Sequence, residues 1–215
     1  MTNPAQILIV DDHPLVREGL AARILAQPDL KVCAEASGVD EAMALLRSSA
    51  PDLMIVDLAL KSGHGLDLIK LVRQMGCDTR ILVVSAYEES LYAERALRAG
   101  ADGYINKQEA QEEIIDAIRT VLRGERFLSR EMTQRLVGRA VSGKRGPEGV
   151  EGLSDREMEI FELIGRGKST RAIAEQLRLS IHTIESHREN IRAKLNLRNG
   201  SELVQHAVQW VLEAK

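Results

Sequence analysis

Aromatic side chains are scarce in this chain: three tyrosines, two phenylalanines and one tryptophan make up 3% of its 215 residues. A core built on stacked rings is therefore excluded, and small aliphatic packing is expected. Cysteine is scarcer still. Cys33 lies in an apolar run and Cys77 follows Gly76, a spacing that supplies neither a disulfide framework nor a metal-ligand set, so both are read as structural. No run approaches the roughly 20 apolar residues of a membrane span. The opening MTNPAQ has no basic stretch ahead of an apolar one, so no membrane association and a cytoplasmic location are expected. Excess positive charge is also missing. The net charge is -3, concentrated before Gly149, while the remainder is close to neutral and rich in histidine. Any surface for nucleic acid must then be local.

What the chain does have is rhythm. From Gln6 to Arg123, short apolar runs alternate with segments of helical period: ILIV before Leu15 to Leu25, KVCAEA before Val39 to Leu46, and LMIVD before Leu66 to Val72. ILVVS then precedes Leu91 to Leu97, and GYI precedes Ile114 to Val121. Runs apolar at every position suit strands buried on both faces, as in a parallel sheet between helical layers. The expected fold is a doubly wound α/β domain over residues 1–125. Residues 126–150 read as a linker, with a helix over Phe127 to Val141 and then the glycine-rich SGKRGPEGVEG. Residues 151–215 show helical patterns only, predicting an all-α domain with helices over Asp155 to Arg166, Arg171 to Arg178, Ile181 to Leu195 and Ser201 to Glu213.

In an open parallel sheet, ligands sit beyond the carboxyl ends of the strands. Here those ends carry Asp11 and Asp12, Asp57 and Ser85, and Lys107 follows the fifth run. With strands in the order 2-1-3-4-5 these side chains converge. Clustered carboxylates stay charged only when a cation compensates them, and magnesium suits carboxylate, water and phosphate oxygens. Asp57, ending the central strand of the cluster, is the expected nucleophile toward phosphorus, with Ser85 and Lys107 receiving the phosphoryl oxygens.

The segments ILIVDDH, LMIVDL, VVSA and GYINK resemble the receiver domain of response regulators, whose fold is flavodoxin-like. The resemblance implies that Asp11 and Asp12 hold Mg2+ and that Asp57 is the phosphoacceptor. It also implies that the Ala59 carbonyl is a further metal ligand, that Ser85 and Lys107 bind the phosphoryl group, and that Tyr104 is the aromatic that turns inward with the hydroxyl residue. The chain departs from the family pattern at Leu60 and Lys61, which replace a usual Met-Pro, and at Gln108, which replaces a common proline. A haloacid-dehalogenase-like phosphatase would want an acid two residues after the nucleophile. Ala59 stands there, so no enzyme of that class is expected.

In the helical part, Ser154 and Glu157 have the spacing of a capping box, Ser169 or Thr170 starts the next helix, and Leu179-Ser180 forms a tight turn before Ile181. Two helices joined so tightly present the second to a DNA major groove. LSDREMEIF, IAEQLRLS and IHTIESHRENIRAKL resemble the LuxR-type helix-turn-helix, and with the receiver in front the chain is similar to the NarL/FixJ subfamily. On the helix Ile181 to Leu195, the spacing assigns Ile184, Ile191 and Leu195 to the core. His182, Glu185, Ser186, Arg188, Arg192 and Lys194 are left as candidates for double-stranded DNA. The resemblance further implies a sensor histidine kinase as phosphodonor, RNA polymerase as a partner, and a homodimer formed through the last helix with Leu203, Val204, Ala207 and Trp210. The competing reading is a regulator that binds DNA regardless of phosphorylation, its receiver serving only for protein contacts.

Overall fold

The computed structural model describes residues 3–60, 63–108, 110–142 and 150–213. Lys61 and most of the SGKRGPEGVEG segment lie outside the described residues. The chain divides into two compact units, Met1–Arg135 and Leu136–Lys215.

The first unit alternates strand and helix five times: β1 Ala5–Val10, α1 Pro14–Leu25, β2 Leu30–Ala36, α2 Val39–Ser49, β3 Leu53–Val56, α3 Gly65–Gln74, β4 Arg80–Ser85, α4 Glu89–Ala99, β5 Gly103–Asn106 and α5 Ala110–Leu122. The strands form one parallel sheet in the order β2-β1-β3-β4-β5. This is the flavodoxin-like architecture expected from the uninterrupted apolar runs. Alternation within those runs splits the core into two layers. Ile7, Ile9, Leu53, Ile55, Leu82, Val84 and Ile105 face Leu20 and Ile24 of α1 and Ile114, Ala117, Ile118 and Val121 of α5. Their strand neighbours Leu8, Val10, Met54, Val56, Ile81 and Val83 are equally buried on the other face.

One glycine governs the approach of a helix to the sheet. A Cβ on Gly65 would lie 2.2 Å from the carbonyl oxygen of Asp57 and 2.7 Å from Cα of Leu58, so α3 can begin this close to β3 only without a side chain. Arg73 on α3 then ties the opposite end of the layer together. Its guanidinium donates to the carbonyls of Gly100, Cys77 and Thr79 and to Asp102.

The segment after α5 behaves differently from the sequence expectation. Phe127 does not begin a helix. It forms a parallel bridge with Gly103, accepts at its carbonyl from the Tyr104 amide at 2.9 Å, and packs against the first unit's core. Helix α6 starts later, at Arg130, and runs to Ser142. Ser129 caps it by accepting from the Met132 amide, while its own amide donates to Glu89 of α4. The edge of β5, with its unpaired backbone groups, holds Phe127 outside the helix expected over Phe127 to Val141. The division between the units falls inside α6.

The second unit contains a short 3-10 turn, Val150–Gly152, then α7 Asp155–Gly165, α8 Thr170–Leu177, α9 Ile181–Lys194 and α10 Gly200–Glu213. The starts of α7, α8 and α9 follow from serines. Ser154 completes the expected capping box with Glu157, Ser169 accepts from the Ala172 amide, and Ser180 accepts from the Thr183 amide. Phe161 and Trp210 meet at 5.7 Å with tilted rings. Around them, Met158, Ile164, Ile173, Ile184, Ile191, Leu203 and Ala207 complete a small core. Leu195, assigned to that core from its spacing, is instead the half-buried C-cap of α9.

Candidate phosphoryl pocket and DNA-facing helix

The carboxyl ends of β1, β3 and β4 and the residue after β5 bring Asp11, Asp12, Asp57, Ser85 and Lys107 to one place. Adjacent strands share a register: Val10 lies beside Val56, and Ser85 beside Asn106, one residue before Lys107. Asp11, Asp12, Asp57 and Ser85 are all buried, at 2%, 6%, 1% and 0% exposure. Lys107 Nζ lies 2.7 Å from a carboxylate oxygen of Asp57 and 2.7 Å from one of Asp11. Burial pushes the Asp57 carboxyl above its ordinary range, and the negative charge of Asp11 adds to that, against the opposing pull of Lys107. For Lys107, burial works against the charge, but the two carboxylates outweigh it and hold the amine above its ordinary value.

Asp11, Asp12, His13 and Asp57 each offer a ligand atom within 4.8 Å of the others. Three of the four are hard carboxylate oxygens, a donor set that fits a hard divalent cation. His13 has no counterpart in the sequence assignment. Its Nδ1 sits 2.8 Å from Asp12 and 3.3 Å from Asp11, and the turn that caps α1 swings it there, its amide donating to Asp11 at 2.8 Å. Ala59 donates its own amide to Asp57 at 3.2 Å.

Around Ser85 the β4–α4 loop folds back on the pocket. Ser85 Oγ accepts from the Tyr87 amide at 3.2 Å, and the Tyr87 carbonyl accepts from the Tyr104 hydroxyl at 2.8 Å and from the Asn106 amide group at 3.2 Å. Tyr104 is fully buried. Gln108, where the family often has proline, follows Lys107 through a trans peptide; among the described residues none is cis.

In the second unit α8 and α9 are joined by Arg178, Leu179 and Ser180, with Arg178 in the left-handed region at φ 53°. Ile184 and Ile191 are buried, which turns the polar candidates outward. His182, Glu185 and Ser186 are exposed, and Arg188 and Arg192 are half-buried. Glu185 lies 3.7 Å from Arg188, and the Ser186 hydroxyl donates to the His182 carbonyl. Lys194 is committed elsewhere: its Nζ is 2.6 Å from Glu157 on α7. Sequence spacing identified Glu157 as a capping residue and missed this second bond, since nothing local to either residue signals a contact 37 positions away.

Two family models match the chain, the response regulator receiver domain over residues 7–119 and the luxR family of bacterial regulatory proteins over residues 151–207. This chain belongs to the response regulators. The oxygen regulatory protein NreC of Staphylococcus carnosus is 36% identical to this response regulator over 212 residues, covering 95% of this chain and 97% of NreC. Among solved structures, a LuxR-family two-component response regulator from Aurantimonas sp. SI85-9A1 superposes with a TM-score of 0.60 at 36% identity, over 65% of this chain and 99% of that one. The response regulator ChrA of a heme-sensing two-component system matches 98% of this chain and all of that one, with a TM-score of 0.53 at 28% identity. The receiver match spans all five pocket residues, and the luxR match spans α7, α8 and α9 entirely.

Proposed function

We propose that this response regulator accepts a phosphoryl group on Asp57 and that the modification controls binding of double-stranded DNA through α9. The observation that carries the reading is the convergence of three buried carboxylates with Lys107, a charge-dense pocket that folding alone does not require. The donor is a phosphohistidine on a sensor histidine kinase or a small acyl phosphate. An Asp57 carboxylate oxygen attacks phosphorus, the bond from phosphorus to the donor breaks, and the leaving imidazole or carboxylate takes the electron pair. Asp11, Asp12, Asp57 and the Ala59 carbonyl would hold Mg2+, which when bound neutralises charge on the phosphoryl oxygens. Lys107 moves its bond from the carboxylate to a phosphoryl oxygen, and Ser85 turns its hydroxyl to donate to another.

The phosphoryl group carries roughly 1.5 to 2 negative charges and replaces the single charge of the carboxylate it modifies. When Ser85 swings toward it, the Tyr87 amide loses its acceptor. The loop carrying Tyr87, held to Tyr104 and Asn106 through one carbonyl, then takes a new position and alters the surface around α4 and β5. His182, Glu185, Ser186, Arg188 and Arg192 supply the DNA-facing groups. A second copy at an adjacent half-site is met by α10, through Val204 of the residues the sequence suggested but not through the other three. Leu203, Ala207 and Trp210 are spent inside their own unit, whereas Val204, Val208 and Leu212 form the exposed stripe. The reading places the protein in the cytoplasm, with RNA polymerase as its eventual partner.

Acetyl phosphate with magnesium is expected to add 80 mass units, about one phosphoryl group, to the full chain, and Asp57→Ala to abolish the addition. Label persisting at wild-type stoichiometry in that variant overturns the site. Equal DNA affinity with and without modification would instead favour constitutive binding.

A further inference from the structure

Two consecutive side chains in the first turn of α7 reach the end of α8 and the end of α9. Arg156 Nη2 donates to the Leu177 carbonyl at 3.1 Å. Leu177 is the last residue of α8, four positions before α9 begins. Glu157, 4% exposed, accepts at one oxygen both the Lys194 ammonium at 2.6 Å and the Ser154 amide at 2.7 Å. Lys194 is the final residue of α9. Arg156 is itself steadied by an ion pair with Glu159.

We infer that Arg156, through the end of α8, and Glu157, through Lys194 at the end of α9, form a clamp that fixes α9, and that Lys194 is a positioning residue for DNA recognition rather than a phosphate contact. The inference rests on the reading of α9 as the DNA-facing helix. Base contacts demand that a helix enter the groove at a fixed angle, and a shift of about 1 Å is enough to lose a bidentate hydrogen bond. Hydrophobic packing through Ile184 and Ile191 is non-directional and lets α9 roll. Charge-assisted bonds with fixed geometry do not. The Glu157 carboxyl, despite burial that pushes it up, is held below its ordinary range by the bonds from Lys194 and Ser154, so it stays ionised and bound at neutral pH. Along α9, burial and then the charge of Arg156 lower the pKa of the His187 ring, against an opposing pull from Glu157.

The clamp and a phosphate contact give opposite electrostatic signatures. Removing a carboxylate near DNA strengthens binding through the general field. Loss of the clamp weakens specific binding whichever partner is removed. Full-length protein is measured on a duplex selected from a random pool by the wild-type chain, and on poly(dI-dC) as the non-specific reference, across a salt series. Lys194→Met and Glu157→Gln are each expected to lower affinity for the selected duplex roughly tenfold, the loss of about one base contact. Binding to poly(dI-dC) and the salt slope stay unchanged, the double variant is no weaker than either single one, and Lys194→Arg restores most of the loss. A decrease of about one in the salt slope for Lys194→Met, with Glu157→Gln binding as well as wild type or better, identifies a phosphate contact and overturns the clamp. Equal loss on both DNAs, the signature of partial unfolding, overturns it as well. Should Glu157→Gln fail to fold, Lys194→Met and Lys194→Arg decide alone, because that side chain is 43% exposed. Arg188→Ala is the control: if it leaves binding unaltered, α9 does not face DNA and the clamp falls with that reading.

Discussion

Lys107→Met removes the ammonium that the structure places between the buried Asp11 and Asp57 while keeping the length of the side chain. Asp57 and Asp11, with side chains 1% and 3% exposed, then face each other without the lysine, and His13 Nδ1 stays beside Asp11 and Asp12. Breaking a buried ion pair from one side costs about 3 to 5 kcal/mol. The lysine is 18% exposed, so water enters where it leaves, and the lower figure of about 3 kcal/mol applies. For a unit of this size that lowers the unfolding midpoint by roughly 10 °C. Two corrections reveal the mechanism. Magnesium at about a hundredfold over its dissociation constant returns ~2.7 kcal/mol, nearly the whole loss. Acidification also helps. The Asp57 carboxyl already sits above its ordinary range, and without Lys107 it rises further. A folded pKa above the unfolded one means that the associated stability is fully present below the unfolded value, about 4, and is lost as pH rises through the folded value. The variant therefore converges on wild type as pH falls from 7 toward that value. The spectroscopy separates the units, since all three tyrosines, Tyr87, Tyr92 and Tyr104, lie in the first and the single tryptophan, Trp210, in the second. Near-ultraviolet tyrosine circular dichroism, with chelator or magnesium, reads the effect. A loss below about 1 kcal/mol, insensitive to both magnesium and pH, would refute the electrostatic account of the pocket.

Gly65→Ala should destabilise the first unit by about 3 kcal/mol, at the upper end of overpacking costs, and slow labelling from acetyl phosphate, because the new methyl would press on the Asp57 carbonyl; the tyrosine signal and intact mass report the two effects. His187 has its pKa lowered by burial and then by Arg156. The stability that its neutral form supports is present above the unfolded value, near 6.5, and is lost as pH falls through the folded one. His187→Gln should accordingly flatten the fall in tryptophan-monitored stability of the second unit as pH drops below about 6.5. Val208→Glu with Leu212→Glu alters side chains 37% and 67% exposed, and should leave that unit within about 0.5 kcal/mol of wild type. Cooperative binding to paired half-sites, measured by gel shift, should be lost.

The pocket was legible because its geometry follows from one rule. Parallel strands that end level with one another place their terminal residues together, so naming the polar residue after each apolar run names the site. His13 escaped because a turn, not a strand, carries it to Asp12. Helix starts were equally legible, since Ser154, Ser169 and Ser180 each act within three residues of themselves. Contacts between elements were not. The periodicity of α10 could not tell which of Val204 and Leu203 faces the neighbouring α7, and it is the short Gly165, where a Cβ would lie 2.4 Å from the Ala207 carbonyl, that lets α10 press its Leu203, Ala207 and Trp210 side inward. The bond from Lys194 to Glu157 was not legible for the same reason: a basic residue on a helix has no local mark showing that a buried glutamate on another element holds it.

Phe127 has one more effect, on how this protein keeps company. An open parallel sheet exposes a row of amide and carbonyl groups on each outermost strand, and such rows invite strands from other chains. On one side Phe127 bonds to the main chain at Asp102 and Tyr104 and occupies the free flank of β5. On the other, β2 is interrupted by a register shift opposite Ile7 and Leu8, and it carries Lys31 and Glu35 exposed. Irregularity and charge together make a poor template. Neither outermost strand of this receiver therefore offers a second copy a regular backbone edge to pair with, even at high local concentration.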